Sequence, residues 1–411
     1  MSFAGSNALH IKQHNVRAVL QSLLQKGPLS RVQLAAQTAL SNTTITNLTS
    51  ELLELEIICE EEPLAGQNGH RRRGVGRPRR MLRLIPNARY VVGVHIGIGI
   101  LRVAVTNLYA EVLHNKMDAF AVESPATAVL DLIVRLVEQT VAEAGVERAL
   151  VLGVGVGASG LVDPQTGVNV LAARLGWRHT PIRAYLETRL DLPVCVDNNV
   201  RAMALGEAVF GAGQGVGLLA FIYGRVGVGA GIVLGGRVFR GGGAGAGEIG
   251  HVIIVPEGGK RCGCGQYGCL ETLVAEPVLV QEAELRVLED PEGCLAHYWR
   301  RADLRPIEAI FAAARAGDPP TVQMIERLAH YLGLALANLV NVLNPELIIL
   351  GGMFAQGSDL ILPTAETTMR DAAFADLGKK VCLQPTGFGW RAGIIGASAL
   401  ALTHFFYEAA L

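Results

Sequence analysis

The chain has 411 residues, half of them hydrophobic and 18% charged, enough for two or three domains with a large buried core. Formal net charge is −1, yet residues 1–90 carry 12 Lys/Arg against 6 Asp/Glu, so a basic head precedes an acidic body. The N-terminus MSFAGSNALHIKQHN has no apolar signal core, and Gly or charge breaks every apolar stretch well short of a membrane span. The expectation is a cytoplasmic protein with no membrane partner.

Residues 13–62 read as three helices and a strand. Val16, Val19, Leu20, Leu23 and Leu24 recur at helical spacing, and Gly27-Pro28 stops that helix. Ser30 can cap a second helix over Arg31 to Thr38, Ala39-Leu40 makes a turn, and Ser41 can cap a third. In the third helix Ile45, Leu48 and Leu52 share one face. Asn42, Thr43, Thr44, Thr46, Asn47 and Ser50 are left outward. Ile57-Ile58-Cys59 reads as a strand, residues 63–80 as a Gly-, Pro- and Arg-rich loop or wing, and Leu82 to Ile85 as a returning strand.

Two short helices joined by a tight turn, the second polar outward, make a helix-turn-helix. Asn42, Thr43, Thr44, Thr46 and Asn47 are groups that hydrogen-bond base edges and phosphates in a major groove. A plain three-helix bundle with a polar surface shows the same pattern, and a solvated basic face the same charge. The wing tips the balance. It holds the run HRRRGVGRPRR, in which Arg77 sits between Gly76 and Pro78, and an extended Gly-Arg-Pro segment fits a narrow minor groove. A solvated charged linker is the alternative. The expected partner is a double-stranded DNA operator.

From Tyr90 the pattern changes to strands between glycine turns (YVVGVHI, ILRVAVTN, AEVLHN), then a helix from Pro125 to Ala144, then the strand ALVLGVGVG. The order recurs in GLLAFIYG, GAGIVLGG, RVF, later helices and ELIILGG. It reads as a duplicated βββ-α-β-α unit forming two α/β lobes with a ligand cleft between them. The expected division is a winged helix-turn-helix over 1–88 and a two-lobed body over 89–411. Lobe one covers about 89–205 plus 390–411, and lobe two about 206–389.

Three of the seven cysteines crowd into eight residues, which suits a metal site in a reducing compartment better than a disulfide framework. His251, Cys262, Cys264 and Cys269 are spaced H-x10-C-x-C-x4-C, with glycines that let the chain wrap tightly. Three thiolates and an imidazole are a tetrahedral set for structural zinc, leaving no open catalytic position.

The string GEIGH…CGCGQYGCLE resembles the signature of the ROK family (repressors, open reading frames and kinases), with one extra residue between His and the first Cys. Gly176-Trp177, Pro193-Val194, Ala204-Leu205-Gly206-Glu207, and Asn344-Pro345-Glu346 before Leu350-Gly351-Gly352 extend the likeness from about Tyr90 to the end. The head resembles the winged helix of that family's repressor branch, the branch of xylose, glucose and N-acetylglucosamine repressors. The resemblance implies an actin-like, sugar-kinase (ribonuclease H-like) α/β fold behind the winged helix.

Against the family's kinases three chemical groups differ. Where they carry Asp-x-Gly-Gly-Thr, this chain reads His95-Ile96-Gly97-Ile98-Gly99. Counting back from Ala204 puts Asn199 at the position of their catalytic Asp, and an amide cannot take a hydroxyl's proton. Their Gly-Thr-Gly loop is here Arg225-Val226-Gly227, with Val226 in place of the hydroxyl. A register shift that brought Asp197 into play would not restore the phosphate loops. On the sugar side the resemblance places Asn198, Asn199, Glu248, His251 and Glu271 among a sugar's ring hydroxyls, as amides and carboxylates suit. Glu248 and Glu271 would equally serve to brace the zinc loop. Arg174 replaces an Asn before Leu-Gly-Trp, which would change sugar choice, admit a phosphosugar or abolish binding.

The expected function is therefore a sugar-responsive repressor of carbohydrate-utilisation genes. It would be a zinc-bearing homodimer or dimer of dimers, with a sugar or phosphosugar effector and no catalysis. The alternatives are an active ATP-dependent sugar kinase with a regulatory head, and a repressor controlled by a partner protein.

Overall fold

The computed structural model describes residues 8–61, 80–243 and 245–408. At the N-terminus lie α1 (Ala8–Lys26), β1 (Leu29–Ser30), α2 (Arg31–Thr38), α3 (Asn42–Glu54), β2 (Ile58–Glu61) and β3 (Met81–Leu84). Ser30 closes a capping box with Gln33 at the start of α2, and Ala39 ends that helix in the left-handed region at φ 56°. Ser41 Oγ accepts from Thr44 N at 3.1 Å and starts α3. The three strands pair in the order β1-β3-β2, and the helices bury Leu20, Leu23, Leu34, Ile45 and Leu52 against them. This is a winged helix. Arg77 and most of the wing lie outside the described residues.

The body begins with β4 (Tyr90–Ile96), β5 (Ile100–Asn107), β6 (Val112–Ala119), α4 (Ala126–Ala144) and β7 (Val151–Ala158). A small sheet follows, of β8 (Leu161–Asp163), β9 (Val168–Ala172) and β10 (Trp177–Thr180), then α5 (Ile182–Leu190), β11 (Val194–Asn198) and α6 (Asn199–Phe210). The second half runs β12 (Leu218–Gly224), β13 (Val228–Leu234), β14 (Arg237–Phe239), α7 (Glu271–Val274), α8 (Glu276–Glu289), α9 (Cys294–Trp299), α10 (Pro306–Arg315) and α11 (Pro319–Leu343). It closes with β15 (Leu347–Gly352), α12 (Met353–Gln356), α13 (Ser358–Ala372), α14 (Leu377–Lys380), β16 (Cys382–Pro385) and α15 (Ala392–Leu402).

The two five-stranded sheets have one topology. The first is ordered β6-β5-β4-β7-β11 and the second β14-β13-β12-β15-β16. In each, three antiparallel strands are followed by two parallel ones added on the far side of the first strand. The parallel strands are apolar runs because both faces are covered.

The helices between the sheets are exchanged. Helix α6, which follows the first sheet, packs on β13, whereas α15, at the end of the chain, packs on β4 and β7. A lobe boundary at about residue 205 therefore falls inside α6. The two helices cross at Gly206 and Gly396, and a Cβ at Gly396 would lie 2.6 Å from the Ala202 carbonyl carbon, so only glycine permits the crossing. After α15 a π-helical turn (Thr403–Tyr407) reaches the head, and Phe406 and Tyr407 join one apolar cluster with Val19, Leu20 and Leu108. No helix among the described residues is long and apolar enough to cross a membrane.

Candidate functional site

The metal-ligating set comes together. The ligand atoms of His251, Cys262, Cys264 and Cys269 all lie within 4.8 Å of one another, with His251 Nδ1 3.6 Å from Cys262 Sγ and Cys264 Sγ 3.7 Å from Cys269 Sγ. Sulfurs 3.7 Å apart are far beyond a disulfide bond, but about the edge of a tetrahedron with metal–sulfur bonds near 2.3 Å. The loop is shaped by backbone: Cys262 N donates to Gln266 O, and Gly268, at φ 74°, donates to Lys260 O. A Cβ on Gly268 would fall 1.8 Å from the Val255 carbonyl oxygen. The cluster can hold a tetrahedral metal ion. With Nδ1 turned to it, the other ring nitrogen of His251 is left for a different partner.

The residues expected to meet a sugar are divided. Asn198 is the N-cap of α6: its Oδ1 accepts from Val200 N and Arg201 N, and its Nδ2 donates to Gly160 O at 2.9 Å. That side chain serves the backbone, which the sequence reading did not anticipate. Asn199 is buried, and its Nδ2 donates to Ser159 Oγ at 3.2 Å. Glu271 sits at the start of α7, where Oε2 accepts from Val228 N at 3.1 Å and Oε1 pairs with Arg174 Nη2 at 3.2 Å. Arg174 is therefore bound to a carboxylate of the same set. Glu248 is exposed just before the turn that carries His251.

Asp197 has no access to a substrate. It is fully buried between Arg201 Nε and Arg240 Nη2, each 2.7 Å away, and it also accepts from Asn198 N. Asn199, two residues on, is an amide, and the Asp197 carboxylate is paired with two guanidinium groups.

The other end of the cleft is built by two hairpins at corresponding places in the two sheets. One is the turn between β4 and β5, where His95 pairs in register with Arg102. The other is the β12–β13 turn, Arg225-Val226-Gly227, with Val226 half-buried at its tip. A cavity of about 350 Å³ lies between them, lined among others by His95, Arg102, Tyr223, Arg225, Glu276 and Arg305. His95 is almost wholly buried, and its ring is held near pKa 3, first by burial and then by Arg102 and Arg225. Burial, then Arg225, also pulls Arg102 below the usual guanidinium range. Sequence reading missed Arg102, Arg305 and Ser159. Pairing the two strands across the two-residue Ile98-Gly99 turn sets residue 102 opposite His95 and would have found Arg102. A larger hollow of about 670 Å³ lies elsewhere, between head and first lobe, lined by Leu53, Glu56, Cys59, Arg89 and Leu150.

On the head, Asn42, Thr43 and Asn47 are exposed on α3. Thr44 is half-buried with its hydroxyl against Ser41, and Thr46 Oγ1 donates to Asn42 O at 2.8 Å. Below them Arg31 bridges Thr49 Oγ1 at 3.0 Å and Glu60 at 2.9 Å, and Arg80 reaches the same Glu60. The two guanidinium groups hold the Glu60 carboxyl below its ordinary value. This network ties α2, α3 and the base of the wing into one frame.

The ROK family model matches residues 91–404, the whole two-lobed body. The chain belongs to the ROK family. Within it, the xylose repressor of Caldicellulosiruptor bescii is 28% identical over 393 residues, covering 96% of each chain. A solved ROK family transcriptional regulator, described as a homolog of the Escherichia coli MLC protein, superposes with TM-score 0.81 at 31% identity over 97% of both chains. A ROK glucokinase from Streptomyces griseus, solved with glucose and AMPPNP, superposes with TM-score 0.68 at 32% identity. It covers 76% of this chain and 99% of its own. The ROK regulators thus match head and body together, whereas this ROK kinase leaves about a quarter of the chain unmatched.

Proposed function

We infer that this protein is a sugar-responsive transcriptional repressor whose kinase-like body senses an effector and no longer transfers phosphate. The observation that carries this reading is the winged helix joined to a ROK body, matched over its full length by a regulator. Helix α3 is the recognition helix, and Asn42, Thr43 and Asn47 are its base-reading side chains, with Arg77 as a minor-groove arm. Two copies pair, so that two heads meet a palindromic operator one helical turn apart. Exposed Val342 and Phe374, brought together by the Phe374 N–Asn341 Oδ1 bond of 2.7 Å, offer an apolar patch for that pairing.

The His251–Cys262–Cys264–Cys269 cluster holds a structural zinc that supplies folding energy to the floor of the sugar site. The sugar is met by Asn199, Glu248, Glu271 and the free nitrogen of His251, and Arg174 fixes Glu271 while narrowing the pocket. Absence of catalysis is supported by the amide at 199, the imidazole at 95 and Val226 at the second loop. Coupling runs through α15, which lies on the first sheet beside the cleft and whose continuation packs on α1. An effector that shifts the lobes moves the head with them.

The experiment uses the full chain. Sites are selected from a random duplex library, and glucose, xylose, N-acetylglucosamine and their phosphates are then titrated against the selected duplex. A selected site whose affinity falls at least tenfold with one sugar is the expected result. Failure to select any duplex, or ATP-dependent phosphorylation of a sugar on the order of 1 per second, would overturn the reading.

A further inference from the structure

The three cysteines of the metal-ligating loop are not equivalent. Cys269 is wholly buried: its backbone bridges to Ile253, and its carbonyl oxygen accepts from Thr272 Oγ1 at 2.7 Å. Cys262 is buried too, and its sulfur lies 3.6 Å from His251 Nδ1. Cys264 alone of the three is exposed, with its sulfur 3.7 Å from that of Cys269. It stands between Gly263 and Gly265, where even an added Cβ would meet nothing within 4 Å. The exposed sulfur therefore sits on a pliable arm and the buried one on a fixed wall. Closing 3.7 Å to a disulfide length of about 2.0 Å asks for a movement of the arm and none of the wall.

We propose that Cys264 and Cys269 are a peroxide-sensitive modification site, at which oxidation to a disulfide expels the metal and leaves the body unable to answer its sugar. The inference rests on the reading of this loop as a zinc site and of the body as a sugar sensor. Zinc bound there holds both sulfurs as thiolates, the form that attacks oxidants. Cys264 Sγ attacks one oxygen of a hydroperoxide. The O–O bond breaks, the far oxygen leaves as hydroxide or alkoxide, and a sulfenic acid forms. Cys269 Sγ then attacks that sulfur, the S–S bond forms, and the sulfenic oxygen leaves as hydroxide. The two cysteines together lose two electrons, and the peroxide gains two. His251 and Cys262 then remain, too few ligands for a tetrahedral structural site. His251 loses the partner that orients its ring. Glu271, two residues beyond Cys269, loses the frame that aims it at Val228 N and Arg174. The head is fastened instead to the first lobe and to the end of the chain, so operator binding persists while the sugar response is lost.

The test uses full-length protein, loaded with zinc under reducing conditions, freed of reductant and treated with hydrogen peroxide in small molar excess. The readouts are zinc release to a chromogenic chelator, thiol titration in denaturant and peptide mapping, for which chymotryptic cleavage after Tyr267 falls between the two cysteines. About one zinc per chain is expected to leave as two of the seven thiols disappear, with Cys264 linked to Cys269. Dithiothreitol and zinc should restore both, as they would not from a sulfinic acid. On a selected duplex, a sugar effect of at least tenfold should fall below about twofold in the oxidised protein, with affinity in the absence of sugar retained. Cys264→Ser should lose no thiol at the same dose. Because that change alters a ligand, Cys382→Ser, at the exposed cysteine outside the loop, is the second variant and should respond as the parent does. The zinc and thiol readouts need no operator, so they stand apart from the repressor reading. A protein that takes up no zinc fails the zinc reading and this proposal together. Zinc retained under peroxide, release without a Cys264–Cys269 disulfide, loss of the response in Cys382→Ser, or an oxidised protein that still answers the sugar overturns the proposal alone.

Discussion

Arg17 in the first helix of the head and Glu408 near the end of the chain form an ion pair at 2.8 Å. One residue earlier, the Tyr407 hydroxyl donates to Leu108 O at 3.0 Å, so the segment after α15 is fastened to the head and to the first lobe at once. The head is packed on the body through this segment, which follows α15 directly and shares an apolar cluster with α1.

The Arg17–Glu408 pair is partly exposed, so its worth to global stability is about 1 kcal/mol or less. Arg17→Ala should therefore shift the unfolding midpoint little, yet raise amide hydrogen exchange across α1. The charge-swapped double variant Arg17→Glu/Glu408→Arg should restore protection, and equal exchange in all three proteins would show that the pair does not hold the head.

Asp197 balances a guanidinium that is itself buried, Arg201 being 3% exposed, whereas Arg240 is 38% exposed. Asp197→Ala should cost roughly 3–5 kcal/mol in urea unfolding, because it removes the carboxylate paired with the buried Arg201 guanidinium. Arg240→Ala should cost about 1 kcal/mol or less, since Asp197 keeps Arg201. Similar losses in both variants would contradict this division.

His95 has a folded-state pKa of about 3 against an ordinary 6.5. The unfolded chain therefore takes up a proton below pH 6.5 that the folded protein refuses. Its contribution to stability is complete above pH 6.5 and is lost as pH falls from 6.5 toward 3. Between pH 7 and pH 5 the parent should lose on the order of 1–2 kcal/mol more than His95→Gln. Parallel urea-derived curves over that interval would refute the assignment.

Elemental analysis of protein purified without chelator should find about one zinc per chain, the stoichiometry of one four-ligand site. Cys269→Ser should abolish it and lower the thermal midpoint, because metal binding and loop folding are coupled. Cys382→Ser, at an exposed cysteine outside the cluster, should keep full occupancy.

On α3, Asn47→Ala should weaken a selected duplex by about 1–3 kcal/mol while leaving random DNA nearly unaffected, as loss of a base contact does. Thr46→Ala should weaken it less, because the Thr46 hydroxyl is already bonded to Asn42 O. Fluorescence anisotropy against both duplexes checks the pair. If the two variants weaken specific and random binding alike, α3 is not a reading helix.

The sequence alone determined the local elements and the chemical sets carried on one short stretch. Apolar spacing in α1 and α3, the caps at Ser30 and Ser41, and the ligands between His251 and Cys269 are signals that complete themselves within a few turns of chain. They need no knowledge of what packs on them. The repeated strand order was legible for the same reason, since alternation and glycine turns are local. Tertiary structure alone decided the rest. It exchanged α6 and α15 between the lobes, closed Asp197 between Arg201 and Arg240, turned Asn198 to capping its own helix, and joined Arg17 to Glu408, 391 positions away. It also placed Arg225 across the cleft from His95 and Arg102. Such relationships depend on how two sheets face each other and on which polar groups must be satisfied once water is excluded, and no periodicity along the chain encodes a contact between residues that far apart.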